Sequence, residues 1–194
     1  MSNVSTRILA FAGSTRRESF NNTLVRIAEV GARDAGASVT HVDLRDYRLP
    51  LFDADDEISD GKPEAAKTLK QLMHEHDGFL IAAPEYNSSI TGVLKNTIDW
   101  VSRPDDADAS PMPAFRGKVV VLMSASPGAL GGLRGLVHVR SILSSLGCIV
   151  LPDQVAVMKA HEAFAEGALR DERQHARVIG LGRTLADTVA KLRQ

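Results

Sequence analysis

Arg7-Ile8-Leu9-Ala10-Phe11-Ala12, followed by Gly13-Ser14-Thr15-Arg16-Arg17-Glu18-Ser19-Phe20-Asn21, is the segment from which the architecture follows. The apolar run reads as a strand and the segment from Asn22 onward as a helix, with a short polar loop over 13–21 between them. A helix N-terminus leaves backbone N–H groups unpaired and carries partial positive charge, which suits an anion. This loop adds the hydroxyls of Ser14, Thr15 and Ser19, the amide of Asn21 and the guanidinium of Arg16. Neutral donors around one fixed charge suit phosphate oxygens. We read the loop as the holder of a cofactor phosphate; alone, it also reads as no more than a serine-capped helix start. Arg17 is expected to face solvent, because neighbours in a turn rarely both face a ligand.

Outward from that loop, apolar runs alternate with helix-period segments. Residues 22–35 offer an apolar side through Leu24, Val25, Ile27, Ala28 and Ala32, and Gly36 stands where a helix C-terminal glycine belongs. A second strand is expected over 38–44. The stretch 45–62 reads as a polar loop, its Asp53, Asp55, Asp56 and Glu57 solvated. Pro63 suits the first turn of a helix over 63–75. The short apolar run 79–83 marks a strand buried on both faces, stopped by Pro84. A helix over 92–102, a proline-containing loop over 103–114 and a buried strand over 119–123 come next. A glycine-rich turn over 126–132 then leads into a helix ending near Leu146. Residues 148–151 begin a fifth strand, resumed at 155–157. The tail from His161 reads as a long helix, with breaks considered near Gly167 or Gly180-Leu181-Gly182.

Five strands separated by helices predict an α/β fold: a doubly wound five-stranded parallel sheet with helices on both faces, three layers in all. Ligands collect at the carboxyl ends of such strands, where strand order reverses. Three polar or glycine-rich loops leave those ends, at 13–21, 84–91 and 124–132, and are expected to open onto one edge. A dinucleotide-binding unit is the competitor, and Asp43 sits where an acidic ribose ligand would stand. That arrangement needs a G-x-G-x-x-G turn, whereas this loop has one glycine followed by donor side chains. No G-x-x-x-x-G-K-[ST] or G-x-S-x-G occurs either. A single terminal phosphate fits better, and Asp43 reads as a local cap.

The 194 residues suffice for one domain with a sizeable core, and 44% apolar with 24% charged residues is ordinary for a soluble chain. A formal net charge of −1 gives no reason to expect nucleic acid or an acidic membrane surface as partner. The N-terminus shows no signal-peptide pattern and no apolar run approaches the roughly 20 residues of a membrane span. The single cysteine, Cys148, makes no internal disulfide, so a cytoplasmic location is expected, with Cys148 a small buried hydrophobe. His74 and His76 point to different sides of a helix, and no metal site is expected. Trp100 reads as core or interface, and Gly131-Gly132 as a tight start to the following helix.

Gly13-Ser14-x-Arg16-x-x-Ser19-x-Asn21, Pro84-Glu85-Tyr86-Asn87-Ser88-Ser89-Ile90, Gly92-x-Leu94-Lys95-Asn96-x-Ile98-Asp99-Trp100 and Ser124-Ala125-Ser126-Pro127-Gly128-x-x-Gly131-Gly132-x-Arg134 together resemble the NADPH-dependent FMN reductase family. The resemblance spans nearly the entire chain and implies a flavodoxin-like fold. It implies FMN as cofactor, NADPH or NADH as hydride donor, and small acceptors such as quinones, azo compounds, free flavin or chromate. It further implies that Ser14, Arg16, Ser19 and Asn21 hold the phosphate, with Thr15 and Phe20 also among the cofactor-binding residues. Pro84, Glu85, Tyr86, Asn87 and Ser88 would follow the ring edge, and Ser124, Ser126, Pro127 and Gly128 the other side. No catalytic side chain is demanded, because the flavin carries the chemistry. A homodimer or homotetramer is implied, with each site completed by a neighbour. Arg134 is left between a nicotinamide-nucleotide phosphate and a subunit interface. Thr91 departs from the family, which usually has proline there, and is expected to loosen the turn slightly. A flavodoxin-type electron carrier without nicotinamide activity is the alternative; such carriers tend to be strongly acidic for docking, which this chain is not.

Overall fold

The computed structural model describes residues 5–105, 108 and 111–193. Residues 1–4, 106, 107, 109, 110 and 194 lie outside them, and with them part of the 103–114 loop and of the N-terminal stretch read above. In chain order the elements are β1 (Arg7–Ala12), α1 (Phe20–Asp34), β2 (Ser38–Val42), α2 (Ala54–Asp60), α3 (Glu64–Glu75), β3 (Gly78–Ala82), β4 (Glu85–Tyr86), β5 (Ser89–Ile90), α4 (Gly92–Val101), β6 (Val119–Ala125), α5 (Leu133–Ser145), β7 (Ile149–Val157), α6 (Ala160–Ala163), β8 (Phe164–Ala165), β9 (Ala168–Leu169) and α7 (Glu172–Leu192).

Five strands form one parallel sheet in the order β2-β1-β3-β6-β7. The chain leaves β1 toward β2 on one side and returns to β3 on the other, so strand order reverses between β1 and β3. This is the flavodoxin-like arrangement, with its crevice at the carboxyl ends of those two strands. Side chains alternate across the sheet: Ile8, Ala10 and Ala12 pack with α1 and α7, and Leu9 and Phe11 with residues of α3, α4 and α5. All seven residues of β6 are buried, which follows from helices covering both faces.

α1 and α7 lie backbone to backbone. A Cβ at Gly31 would overlap the Ile179 carbonyl, and one at Gly182 would overlap the Ala28 carbonyl. Gly182 therefore permits close packing, and the break considered at Gly180-Leu181-Gly182 does not occur: α7 runs unbroken through it. The tail does change near Gly167, which adopts φ +79° in the turn of the β8–β9 hairpin.

Other expectations need correction. Residues 45–62 contain α2, whose N-cap Asp53 accepts from Asp55 N–H at 2.8 Å, with Asp55, Asp56 and Glu57 in its first turn. Those acids complement the helix dipole at that end, a local effect that a loop reading overlooks. Helix α1 starts at Phe20, so Phe20 and Asn21 are first-turn residues, not loop. Pro63 occupies the cap of α3, one position before the first turn. The fifth strand is continuous: β7 carries a bulge around Pro152, where Val120 pairs with Val150 but Leu122 with Gln154. An edge strand tolerates proline at such a bulge because no ladder N–H is needed there. The 84–91 loop holds the β4–β5 hairpin, turned by Asn87 and Ser88 at φ 49° and 67°.

Candidate functional site

The three strand-end loops meet. One cleft is lined by Ser14, Arg16, Ser19, Phe20 and Asn21 from the first, by Pro84, Glu85 and Tyr86 from the second, and by Ala125, Ser126 and Pro127 from the third. It encloses about 90 Å³, well below the roughly 300–1,000 Å³ of sites that engulf a drug-sized ligand. It is sized for one end of a ligand whose remainder lies along the rim.

The first loop is built to leave donors open. Ser19 is the N-cap of α1, yet its side chain makes no capping bond, and α1 has no acidic residue in its first turn. Among the described residues, the first-turn N–H groups have neither a side-chain cap from Ser19 nor a carboxylate in their own turn. Ser14 Oγ accepts from Arg16 N–H at 3.2 Å, curling the loop, and Ser14 and Ser19 are both buried. Thr15, Arg16 and Arg17 are exposed.

Asn21 lines the cleft, but its carboxamide is largely committed. Its Oδ1 accepts from Ala125 N–H at 2.9 Å and its Nδ2 donates to Ala125 O at 2.8 Å. It locks the first loop to the end of β6, a different task from the free phosphate donor expected. Alanine carries no polar signal in a sequence, so only the position of Ala125 between Ser124 and Ser126 points to it.

Glu85 lines the cleft with its stem while its carboxylate turns toward α5. The carboxylate accepts from Arg134 N–H at 3.0 Å, Gly135 N–H at 3.3 Å and Arg134 Nε at 2.8 Å, and pairs with the Arg134 guanidinium. The hydrogen bond from Arg134 is the main reason its carboxyl sits below the usual range; the backbone donors of Gly135 and Arg134 lower it further, against burial, which works to raise it. Arg134, left between two roles above, pairs within its own chain. Glu85 thus supplies from 49 residues away the N-terminal acceptor that α5 lacks, since its N-cap is Gly132. Gly132 adopts φ +91°, and a Cβ there would overlap Ser124 Oγ, so glycine is required on two grounds.

Five expected residues do not line the cleft. Thr15 is exposed beside it, Asn87 and Ser88 form the hairpin tip, and Gly128 N–H donates to Ser126 Oγ at 3.2 Å. Ser124 is fully buried behind the third loop, and its Oγ has no hydrogen-bond partner among the described residues. Tyr86, by contrast, is 61% exposed at the mouth. Thr91 does not loosen the turn. Its φ of −69° is the value a proline ring imposes, and its Oγ1 donates to Gly13 O at 2.6 Å while accepting from Leu94 N–H at 3.2 Å.

Several residues stand where the sequence put them. Trp100 is buried, donating to Pro50 O at 2.9 Å and meeting Phe52 edge-on. Asp43 is a local cap, accepting from Arg45 N–H at 2.9 Å. Cys148 is buried, and burial pushes its thiol up to about 12.

Residues 6–162 match the NADPH-dependent FMN reductase family. The chain belongs to that family. A probable NADPH:quinone oxidoreductase of Oryza sativa subsp. japonica is 37% identical over 158 residues, covering 80% of this chain and 73% of the relative. An NAD(P)H-dependent FMN reductase of Pseudomonas aeruginosa is 34% identical over 169 residues, 86% of each chain. Among solved structures, the flavoenzyme NAD(P)H:(acceptor) oxidoreductase FerB of Paracoccus denitrificans superposes with a TM-score of 0.77 at 26% identity, over 96% of this chain and 98% of that one. Family membership makes the chain a flavin-dependent oxidoreductase that uses FMN and a nicotinamide donor. The residues present fit that cofactor: an uncapped helix N-terminus with serine hydroxyls and one arginine suits a phosphate monoester. No helix among the described residues is long and apolar enough to cross a membrane.

Proposed function

We propose that this chain passes electrons from NAD(P)H through bound FMN to small acceptors such as quinones, azo compounds, free flavin or chromate. The observation that carries this reading is the meeting of three strand-end loops on one cleft at the β1/β3 switch point, with the N-terminus of α1 left open to an anion. FMN, when bound, would supply the redox chemistry that the chain's own side chains lack. The chain supplies position. Ser14, Arg16 and Ser19, with the first-turn amides at Phe20 and Asn21, would hold the phosphate. The backbone from Pro84 to Ser88 would follow the ring edge, and Ser126, Pro127 and Gly128 would form the facing wall, backed by Ser124. Tyr86 stands at the exposed mouth, available to pack against donor or acceptor. One shared face for both substrates implies ping-pong kinetics.

Assembly as a homodimer or homotetramer is part of this reading. Exposed Leu133 and Val137 lie one turn apart on α5, with exposed Leu130 and Tyr86 nearby in the site loops. Sedimentation showing only a monomer of about 21 kDa at micromolar concentration would contradict it. A cytoplasmic location is the accompanying expectation, supported by the lone reduced cysteine.

The deciding experiment is anaerobic stopped-flow reduction of the FMN-loaded protein by NADPH and by NADH, followed by a panel of acceptors. Fast reduction without any partner protein, then reoxidation by a quinone, is the expected result. Protein that neither purifies yellow nor binds added FMN would defeat the reading.

A further inference from the structure

Gly13, the first residue of the phosphate-side loop, is held from three directions. Its N–H donates to Ala82 O at 2.9 Å, at the end of β3. Its α-carbon rests on α4, since a Cβ there would come within 2.8 Å of Leu94 Cβ. Its carbonyl accepts from Thr91 Oγ1 at 2.6 Å. The third contact differs in kind from the others. The first belongs to strand ends and the second to packing, but the third comes from the side chain that also caps α4 by accepting from Leu94 N–H.

Thr91 directly follows the β4–β5 hairpin, the second wall of the cleft, and is 2% exposed. It therefore stands between the two loops that would hold opposite ends of the flavin. The helix behind it is firmly anchored. Leu94, Ile98, Trp100 and Val101 are buried, Trp100 Nε1 donates to Pro50 O at 2.9 Å, and Asn96 bonds both Pro50 O and Phe52 N–H at 2.8 Å. A hydrogen bond to so fixed a post sets where the loop begins. A buried carbonyl that loses its partner is also costly enough to shift the loop in search of another.

We propose that Thr91 is a positioning residue for the cofactor: its hydroxyl couples the phosphate-side loop to the ring-side hairpin and fixes their spacing. Thr91 touches neither the phosphate nor the ring; it acts through Gly13. The proposal rests on the FMN reading above, and the test separates the two.

Thr91→Val keeps the branched shape and removes the hydroxyl; Thr91→Ser keeps the hydroxyl. FMN affinity is read by quenching of flavin fluorescence, and apoprotein stability by the thermal midpoint. Thr91→Val is expected to weaken FMN binding about tenfold, the scale of one buried hydrogen-bond group left unpaired, and Thr91→Ser to stay within about twofold of wild type. Thr91→Val that melts earlier yet binds FMN as tightly as wild type would make Thr91 a helix cap alone and overturn the proposal. Amide hydrogen exchange provides a readout that needs no flavin. Thr91→Val should speed exchange over 14–19 and Thr91→Ser should not; unchanged exchange there overturns the coupling. Wild-type protein that fails to bind FMN while exchange responds as expected would defeat the FMN reading and leave the coupling standing.

Discussion

Helices α1 and α5 begin in much the same way and end up with opposite uses for their N-termini. Each follows the carboxyl end of a parallel strand, β1 or β6, through a loop that begins or ends in glycine, and neither has an acidic residue in its own first turn. At α5 the vacancy is filled from elsewhere in the chain, by the Glu85 carboxylate on Arg134 N–H and Gly135 N–H. At α1 the Ser19 side chain makes no capping bond, and Ser14 and Arg16 stand beside the open amides. A helix N-terminus attracts anions in general, and among the described residues α1 is the one of the two with no carboxylate at its cap, which is why the proposed phosphate site is placed there.

The sharpest way to break this contrast is to give α1 what α5 already has. Ser19→Asp places a carboxylate at the N-cap of α1, where aspartate is a good cap. If the phosphate sits where proposed, like-charge repulsion should weaken FMN binding by about 100-fold. Riboflavin, which lacks the phosphate, should bind unchanged, and the apoprotein should melt no earlier. Equal loss for both flavins in parallel titrations would mean that the phosphate lies elsewhere.

Arg16→Ala comes next. A hydrogen bond to a charged group contributes about 1.5–3 kcal/mol, so FMN affinity should fall at least about tenfold, again without change for riboflavin. A riboflavin loss of the same size would assign Arg16 to the ring or to folding.

Glu85→Gln opens the other side of the comparison. Removing the charge from the cap of α5 is expected to cost about 1–2 kcal/mol in urea unfolding at neutral pH. The pH dependence has a definite sign. The Glu85 carboxyl is held below its ordinary value near 4.5 in the folded state, chiefly by Arg134. Its contribution is therefore fully present above that value and is lost as pH falls through the lower folded value. The stability gap between wild type and Glu85→Gln should close over that acidic window; a gap independent of pH would show that the charge is not what caps the helix. Arg17→Ala is the smallest expected change, less than about twofold in FMN affinity, because its side chain is exposed and does not line the cleft.

Much of this was readable in the residues. The buried strands announced themselves as short apolar runs, 79–83 and 119–123 above all, because a strand covered on both faces has no polar alternation. The first loop was readable because hydroxyls and an arginine after a single glycine are a local pattern. What escaped were relations between distant residues. Nothing near Glu85 in the chain shows that its carboxylate belongs to α5. Asn21 looked like a free donor because its partner, Ala125, lies 104 residues away. Thr91 looked like a weakened proline because the carbonyl it binds is 78 residues back. The hairpin at 85–90 and the helix at 54–60 are not legible in the sequence, since short elements carry too few residues to establish a period.

Local signals along the chain carried the alternation of strands and helices, the three-layer architecture and the three loops that meet. Those depend on periodicity and on the chemistry of neighbouring side chains, both local. Contacts made in the folded chain settle which helix N-terminus stays open, which polar groups spend themselves on other loops, and how far apart the two sides of the cleft are held. Hydrogen bonds across 49, 78 and 104 residues of chain set those features, and such bonds exist only once the sheet has brought its strand ends together.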